Sequence, residues 1–85
     1  MSAKVEVYST TYCPYCRAAE RLLDAKGVKY QAIDVTHDSE KRDWLVKASG
    51  QRTVPQIFID DQAVGGFSDL QALDSAGKLD ALLKI

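Results

Sequence analysis

The tetrapeptide Cys13-Pro14-Tyr15-Cys16 constrains the fold more than any other stretch, because it contains both cysteines of the chain where one periodicity replaces another. Residues 4–8 alternate polar and apolar side chains, which predicts a strand. From Cys13 to Gly27 apolar residues recur every three or four positions, which predicts a helix with proline in its first turn. Two thiols separated by two residues at a strand-to-helix junction indicate thiol–disulfide chemistry.

The two cysteines are expected to have different roles. Cys13 occupies the loop or cap position, where unpaired backbone N–H groups stabilise a thiolate, whereas Cys16 lies one turn inside the helix. We therefore predict that Cys13 is the exposed nucleophile and Cys16 the resolving thiol. Pro14 fixes one backbone angle, so less freedom is lost when a disulfide closes. Arg17 could add positive charge, but a solvated helix face is the preferred interpretation.

Two other uses of the cysteine pair are disfavoured. A purely structural disulfide between Cys13 and Cys16 closes a ring too small to restrain the unfolded chain appreciably. A zinc site needs about four protein ligands, and His37, in a distant loop, is the one further candidate. We therefore expect no metal.

The length, charge and hydrophobicity of the sequence limit the number of domains and the possible partners. Its 85 residues predict one domain, residues 1–85. With 11 basic and 12 acidic residues the net charge is -1, so no summed field attracts nucleic acid or an anionic membrane. No apolar run approaches the roughly 20 residues that span a bilayer, and a cytoplasmic location is the default expectation.

The remaining periodicities predict an α/β chain with the order β-α-β-α-β-β-α. Strands are expected at residues 28–35, 56–59 and 63–64, and helices at residues 39–49 and from about Ser68, as a capping box with Gln71, to Ala76. Residues 78–85 add at most a short turn. The first three elements predict a right-handed crossover between parallel strands in a four-stranded mixed sheet flanked by helices. The Cys13 loop then lies beyond the carboxyl end of a parallel strand, where such sheets bind ligands.

The helical patterns also predict inward-facing residues. The first helix is expected to bury the side chains that share one face, namely Tyr15, Ala18, Ala19, Leu22 and Leu23. The second helix is expected to direct Trp44, Leu45 and Ala48 inward.

Three motifs in this order resemble the dithiol glutaredoxins: the CPYC tetrapeptide, Thr53-Val54-Pro55, and Gly65-Gly66-Phe67-Ser68-Asp69. The resemblance covers roughly residues 4–83. It implies a thioredoxin fold, glutathione as co-substrate, a monomer active on glutathionylated or disulfide-containing proteins, and a role in electron transport and cell redox homeostasis. It also implies a cis bond before Pro55, whereas spacing alone favours trans.

The resemblance further implies catalytic and glutathione-binding residues. Cys13 matches the family nucleophile and Cys16 its partner. The backbone of one matched segment pairs with the tripeptide like an added strand, and a matched helix start receives its γ-glutamyl end. Arg42 matches a position facing the glycine carboxylate, although a solvated face is nearly as good an interpretation. The implied glutathione-binding residues are Tyr15, Arg42, Thr53, Val54, Pro55, Gly66, Phe67, Ser68 and Asp69.

One position departs from the family pattern. Many members carry a lysine three residues before the first cysteine, and this chain has Thr10 there. A hydroxyl can donate a hydrogen bond but brings no charge. The Cys13 thiolate is therefore less stabilised than in lysine-bearing relatives, or Arg42 or Arg52 supplies the missing charge.

Two alternative functions remain at this point. The first is an iron–sulfur cluster carrier, in which Cys13 of each of two protomers and two glutathiones supply four thiolates. Cluster-holding relatives usually have a different residue after the first cysteine, so Pro14 is expected to disfavour this state. The second is a redoxin reduced directly by a flavoprotein reductase. The segment of residues 65–69, which resembles a glutathione site, argues against it.

Overall fold

Four strands and four helices form the chain in the computed structural model, which describes residues 3–85. The strands are β1 (Val5–Ser9), β2 (Gln31–Asp34), β3 (Gln56–Ile59) and β4 (Gln62–Gly65). The helices are α1 (Pro14–Ala25), α2 (Ser39–Ser49), α3 (Phe67–Ser75) and α4 (Leu79–Leu83). None of the helices within this described part is long and apolar enough to cross a membrane.

The strands form one mixed sheet in the order β2-β1-β3-β4. β1 is parallel to β2 and antiparallel to β3, and β3 is antiparallel to β4. The predicted four-stranded mixed sheet and the parallel crossover through α1 are therefore confirmed. Asp60 and Asp61 both have positive φ, of 50° and 68°, as a two-residue hairpin turn with the twist of the sheet requires.

The sheet buries apolar side chains on both faces. Alternation along β1 sends Val5 and Val7 to one face and Tyr8 to the other. The larger cluster contains Ala3, Val5, Val7, Ala19, Leu23, Val28, Ile57, Ile59, Leu70, Leu79 and Leu83. The smaller cluster, beneath α2, contains Tyr8, Val35, Leu45 and Phe58. Helices thus cover both sides and leave the carboxyl end of β1 as the place where a site can form.

Two predictions of inward-facing helix residues are wrong. Tyr15 is 65% exposed, because the buried face of α1 is centred on Cys16, Ala19 and Leu23, and the start of the helix projects past the sheet. Ala48 is also exposed.

Trp44 is a mixed case among the residues predicted to face inward. It is 48% exposed, yet its ring packs against Tyr8 and Phe58 with centroids 5.5 and 5.8 Å apart. One ring face of Trp44 therefore belongs to the smaller core while the other meets solvent.

The start of α3 differs from the predicted capping box of Ser68 and Gln71. Gly66 is the N-cap, and Oδ2 of Asp69 accepts the Gly66 N–H at 3.0 Å. Asp69 occupies the third helical position, from which its carboxylate reaches back to the N–H of the N-cap, so the N-cap lies two residues before Ser68. Gly65 has φ of +119°, and a Cβ there would overlap the Asp69 carboxylate. Glycine at 65 therefore permits the cap.

The strand bounds differ in detail from the expected ones. β2 is shorter than predicted, because Val28 and Val35 are buried beside the sheet without belonging to it. β3 and α2 begin and end where the sequence predicts.

Residues 79–83 form a real helix, which the predicted element order omits. Leu79 and Leu83 of α4 are both 0% exposed, and the Leu83 carbonyl accepts the Ala3 N–H at 2.9 Å. Lys26, after α1, contacts carboxylates of Asp74 at 2.6 Å and Asp80 at 2.8 Å. The last helix therefore closes the larger core against both α1 and the start of β1.

Replacing Leu79 by alanine should lower the free energy of unfolding by about 2–5 kcal/mol, since the side chain is buried and leaves a cavity. Leu82→Ala on the same helix is the matched control, because Leu82 is 38% exposed and should cost less than about 1 kcal/mol. Urea denaturation measures both values. Equal losses in the two variants would contradict a core role for α4.

Candidate active site

Cys13 is the N-cap residue of α1. Its backbone is extended, with φ -99° and ψ 109°, and its Sγ accepts the Cys16 N–H at 3.2 Å. Sulfur thus takes the place that a serine or aspartate oxygen usually fills at a helix start. The unpaired N–H groups and the positive end of the helix dipole favour a negative charge there.

The loop that contains Val54, which follows Cys13 by 41 residues in the sequence, also contacts the Cys13 sulfur. The Sγ of Cys13 lies 3.7 Å from the carbonyl oxygen of Val54 and can donate its S–H to it. The Val54–Pro55 peptide bond is cis, as the resemblance implies and contrary to what spacing alone favours. The loop that precedes β3 is therefore one wall of the site.

Cys16 is chemically unlike Cys13. It is 0% exposed, and its pKa is raised to about 12, first by burial and then by its contact with the Cys13 thiol. The backbone of Thr10 and the charge of Arg17 oppose this rise but do not cancel it. Cys16 is therefore a protonated thiol at neutral pH, held below a half-buried Cys13.

A cleft of about 350 Å³ lies next to the cysteine pair. Seven of the nine implied glutathione-binding residues line it: Tyr15, Thr53, Val54, Pro55, Gly66, Phe67 and Ser68. Three separate parts of the chain, namely the start of α1, the loop before β3 and the start of α3, meet at this point. The sequence motifs are therefore neighbours in space.

Aromatic rings and a helix start form the walls of this cleft. The Tyr15 and Phe67 rings lie with centroids 6.4 Å apart at an interplanar angle of 31°. Beside them, the first backbone N–H groups of α3 point outward, as at any helix start. An apolar surface next to a cluster of donors suits a ligand with both an apolar stem and a carboxylate.

The other two implied residues lie outside the lining of the cleft. Asp69 is exposed at its edge and uses Oδ2 to cap Gly66. Arg42 lines a second hollow of about 180 Å³ together with Arg52, and Val54 lines both cavities. Arg42 is thus adjacent to the cleft through Val54.

The structure does not support a thiolate-stabilising role for the Thr10 side chain. Thr10 is 1% exposed, and among residues 3–85 its Oγ1 has no hydrogen-bond partner. Its carbonyl accepts Nη2 of Arg17 at 3.4 Å. Arg17 lies in α1 and is exposed, as the preferred interpretation of a solvated helix face predicts, and its guanidinium also pairs with Glu20 at 3.1 Å.

One further residue of the site was not anticipated. Gln56, the residue after Pro55, is fully buried and its side chain bonds to the loop of residues 51–53. A polar side chain inside an otherwise apolar strand was the available signal. Within residues 3–85, no cluster of three or more His, Cys, Asp or Glu side chains is arranged to hold a metal ion.

The family model described as Glutaredoxin matches residues 5–64 of this chain. The chain belongs to the glutaredoxin family. It is 51% identical over 82 residues to Glutaredoxin 3 of Escherichia coli, covering 96% of this chain and 99% of the relative. It is 50% identical over 84 residues to a probable glutaredoxin of Synechocystis, covering 98% and 96%.

Solved glutaredoxins have the same fold. The crystal structure of a buckwheat glutaredoxin–glutathione complex superimposes with a TM-score of 0.89 at 34% identity, over 96% of this chain and 77% of the other. This glutaredoxin therefore has a thioredoxin fold and is of the dithiol CPYC type. Family and fold together support thiol–disulfide oxidoreductase activity.

Thr10→Val should leave the rate of Cys13 alkylation by iodoacetamide unchanged and raise the free energy of unfolding by about 1 kcal/mol. The valine keeps the shape and removes a buried hydroxyl that has no partner within residues 3–85. Alkylation is followed by mass spectrometry and stability by urea denaturation. A slower alkylation would show that the hydroxyl does assist the thiolate.

At pH 7 to 9 the reduced protein should add one iodoacetamide, at Cys13, and only slowly a second. Burial is the largest cause of the raised Cys16 pKa and persists after Cys13 is alkylated, so Cys16 stays mainly protonated and its alkylation should accelerate as pH rises above 9. Peptide mapping identifies the modified cysteine. Heat-unfolded protein, in which burial is lost, is the control and should be modified at both thiols.

Proposed function

We propose that this chain is a glutathione-dependent thiol–disulfide oxidoreductase of the cytoplasm that acts as a monomer. It reduces mixed disulfides between proteins and glutathione, and also protein disulfides. One observation carries the proposal: Val54 both approaches the Cys13 sulfur at 3.7 Å and lines the adjacent cleft. A glutathionyl group bonded to Cys13 can therefore lay its tripeptide into that cleft.

The cleft has the size and chemistry that a tripeptide needs. Its volume of about 350 Å³ lies within the roughly 300–1,000 Å³ of small-molecule sites. The backbone of Thr53 to Pro55 pairs with the tripeptide as an added strand, and the Tyr15 and Phe67 rings flank it. A buckwheat relative described as a glutathione complex supports this assignment.

The ends of glutathione are charged, and the proposal assigns a complementary group to each of them. The backbone N–H groups at Phe67 and Ser68 receive the γ-glutamyl carboxylate, with Gly66 shaping the start of α3. Asp69 pairs with the γ-glutamyl ammonium while Oδ2 continues to cap the helix. Arg42 is assigned the glycine carboxylate, since it lines a neighbouring hollow that shares Val54 with the cleft.

Deglutathionylation needs only the first cysteine. The Cys13 thiolate attacks the glutathionyl sulfur of a protein mixed disulfide, so a Cys13–glutathione disulfide forms and the protein leaves as a thiolate that takes a proton from water. A second glutathione thiolate attacks the glutathionyl sulfur. Oxidised glutathione departs and the Cys13 thiolate is regenerated.

Reduction of a protein disulfide needs both cysteines. The Cys13 thiolate forms a mixed disulfide with one sulfur of the substrate and releases the other as a thiolate. Cys16 then gives its proton to water and attacks the Cys13 sulfur. The bond between Cys13 and the substrate breaks, the reduced substrate leaves as a thiolate that takes a proton from water, and a Cys13–Cys16 disulfide remains. Two glutathiones reduce that disulfide and depart as oxidised glutathione.

The surroundings of Cys16 suit this order of events. Burial is the largest cause of the raised Cys16 pKa and remains throughout, but the contact with the Cys13 thiol and the charge of Cys13 raise the pKa further. These two further causes disappear once Cys13 is bonded to a substrate sulfur. Cys16 therefore becomes easier to deprotonate at the stage where its thiolate is needed.

Cys13→Ser should abolish both reactions, whereas Cys16→Ser should retain deglutathionylation of a glutathionylated peptide and lose more than about tenfold in reduction of a protein disulfide. A glutathione and glutathione reductase assay measures both. Activity of Cys13→Ser with either substrate would contradict the assignment of the nucleophile.

The source of electrons has its own test. Turnover of the wild-type protein with glutathione should far exceed turnover with thioredoxin reductase, because the cleft is matched to the tripeptide. Faster turnover with the flavoprotein would contradict glutathione dependence while leaving oxidoreductase activity intact.

A further inference from the structure

Gln56 is a buried amide that contacts one residue of the proposed glutathione cleft, Thr53, and follows another, Pro55. It is the first residue of β3 and is 0% exposed. Burying an amide without hydrogen bonds costs free energy of folding. The hydrogen-bond partners of the Gln56 side chain therefore indicate its structural role. Its neighbours along the strand, Ile57 and Phe58, are ordinary core side chains.

The partners of the Gln56 side chain all lie in the exposed loop before β3. Nε2 donates to the carbonyl oxygen of Thr53 at 2.8 Å and to Oε1 of Gln51 at 3.2 Å, and lies 3.3 Å from Oγ1 of Thr53. Two of these groups are carbonyl oxygens, which accept and cannot donate. The nitrogen must therefore face the loop, since an oxygen there would meet other oxygens.

The bond to the Thr53 carbonyl fixes the direction of a whole peptide unit. The carbonyl of Thr53 and the N–H of Val54 belong to the same planar trans peptide and point in opposite directions. The carbonyl is turned inward, to the buried amide of Gln56. The N–H of Val54 therefore points outward, and Val54 lines the cleft.

We infer that Gln56 is a positioning residue for glutathione: by holding the Thr53 carbonyl inward, it aims the Val54 N–H at a peptide carbonyl of the tripeptide. This inference rests on the proposed function. Gln56 touches neither the sulfur atoms nor the ligand. It acts through the peptide unit between Thr53 and Val54, whose orientation the exposed loop alone would not fix.

Gln56→Met tests this role, because methionine has a similar length and no donor. In the variant, the Thr53 carbonyl should rotate outward and hydrogen-bond to water. The Val54 N–H then no longer points toward the tripeptide. For a glutathionylated peptide we expect kcat/KM to fall about fivefold to tenfold, which is the effect of losing one neutral hydrogen bond. The fall should come from a higher KM, with kcat unchanged. Alkylation of Cys13 by iodoacetamide, which does not use the cleft, should keep its rate.

Gln51→Ala is the matched control. It removes another acceptor of the same Nε2 atom but leaves the bond to the Thr53 carbonyl, so its kinetic constants should equal those of the wild type. Circular dichroism and thermal melting establish that both variants are folded. A difference between the two variants then reports the orientation of the peptide rather than the number of bonds to the loop.

A binding measurement without catalysis provides a second readout. S-methylglutathione has no free thiol, and its titration into ¹⁵N-labelled protein should shift the Val54 amide signal downfield in the wild type and in Gln51→Ala. In Gln56→Met that shift should shrink, and the dissociation constant should rise by about the same fivefold to tenfold.

The outcomes separate the inference from the function beneath it. If the wild type uses glutathione and Gln56→Met has the same KM and the same Val54 shift, the inference is wrong and the proposed function stands. If Gln56→Met also loses Cys13 alkylation, or Gln51→Ala is equally impaired, Gln56 has a general structural role and the inference is again wrong. If the wild type neither turns over nor binds glutathione, both fail.

Discussion

The hydrogen bond from the Cys16 N–H to the Cys13 sulfur is the interaction on which the rest of the site depends. It places the sulfur at the start of α1, where the helix favours a negative charge, and it fixes the direction in which the sulfur faces the loop before β3. The same turn carries Cys16 into the core. One short segment therefore makes two identical side chains chemically different.

The sheet serves this arrangement by bringing distant segments to one end of the molecule. β1 leads into the cysteine helix, and its neighbour β3 begins beside the carboxyl end of β1 because the two strands are antiparallel. The start of α3 follows β4, the strand paired with β3. The cleft thus owes its shape to strand order, and in our inference the orientation of the Thr53–Val54 peptide in its wall depends on the buried amide of Gln56.

Most of the fold was predictable from periodicity. The spacing of apolar residues in α1 and α2, with the glycines that end them, identified both helices, and the run Gln56-Ile57-Phe58-Ile59 identified β3. Tyr15 and Ala48 were misplaced because a helical repeat gives a face but not the extent to which the sheet covers it. α4 was underestimated because a segment of five residues has too little periodicity to be distinguished from a turn.

The site was predictable in its motifs but not in its contacts. The likeness of three short motifs to glutaredoxins pointed to seven residues that do share one cleft. The burial of Thr10 and the inward bonds of Gln56 depend on side-chain packing between β1, β3 and the loop, which no pattern along the chain encodes.

Gly65 shows how the proposed ligand site limits a residue that never touches the ligand. Any side chain at position 65 would occupy the space of the Asp69 carboxylate, which caps α3 and, in our proposal, meets the ammonium of glutathione. Positions 65 and 69 are therefore coupled by packing: a Cβ at 65 would overlap the Asp69 carboxylate, and the positive φ of Gly65 would strain any other residue there as well. The last residue of an edge strand is in this way constrained by the start of the following helix as well as by the sheet.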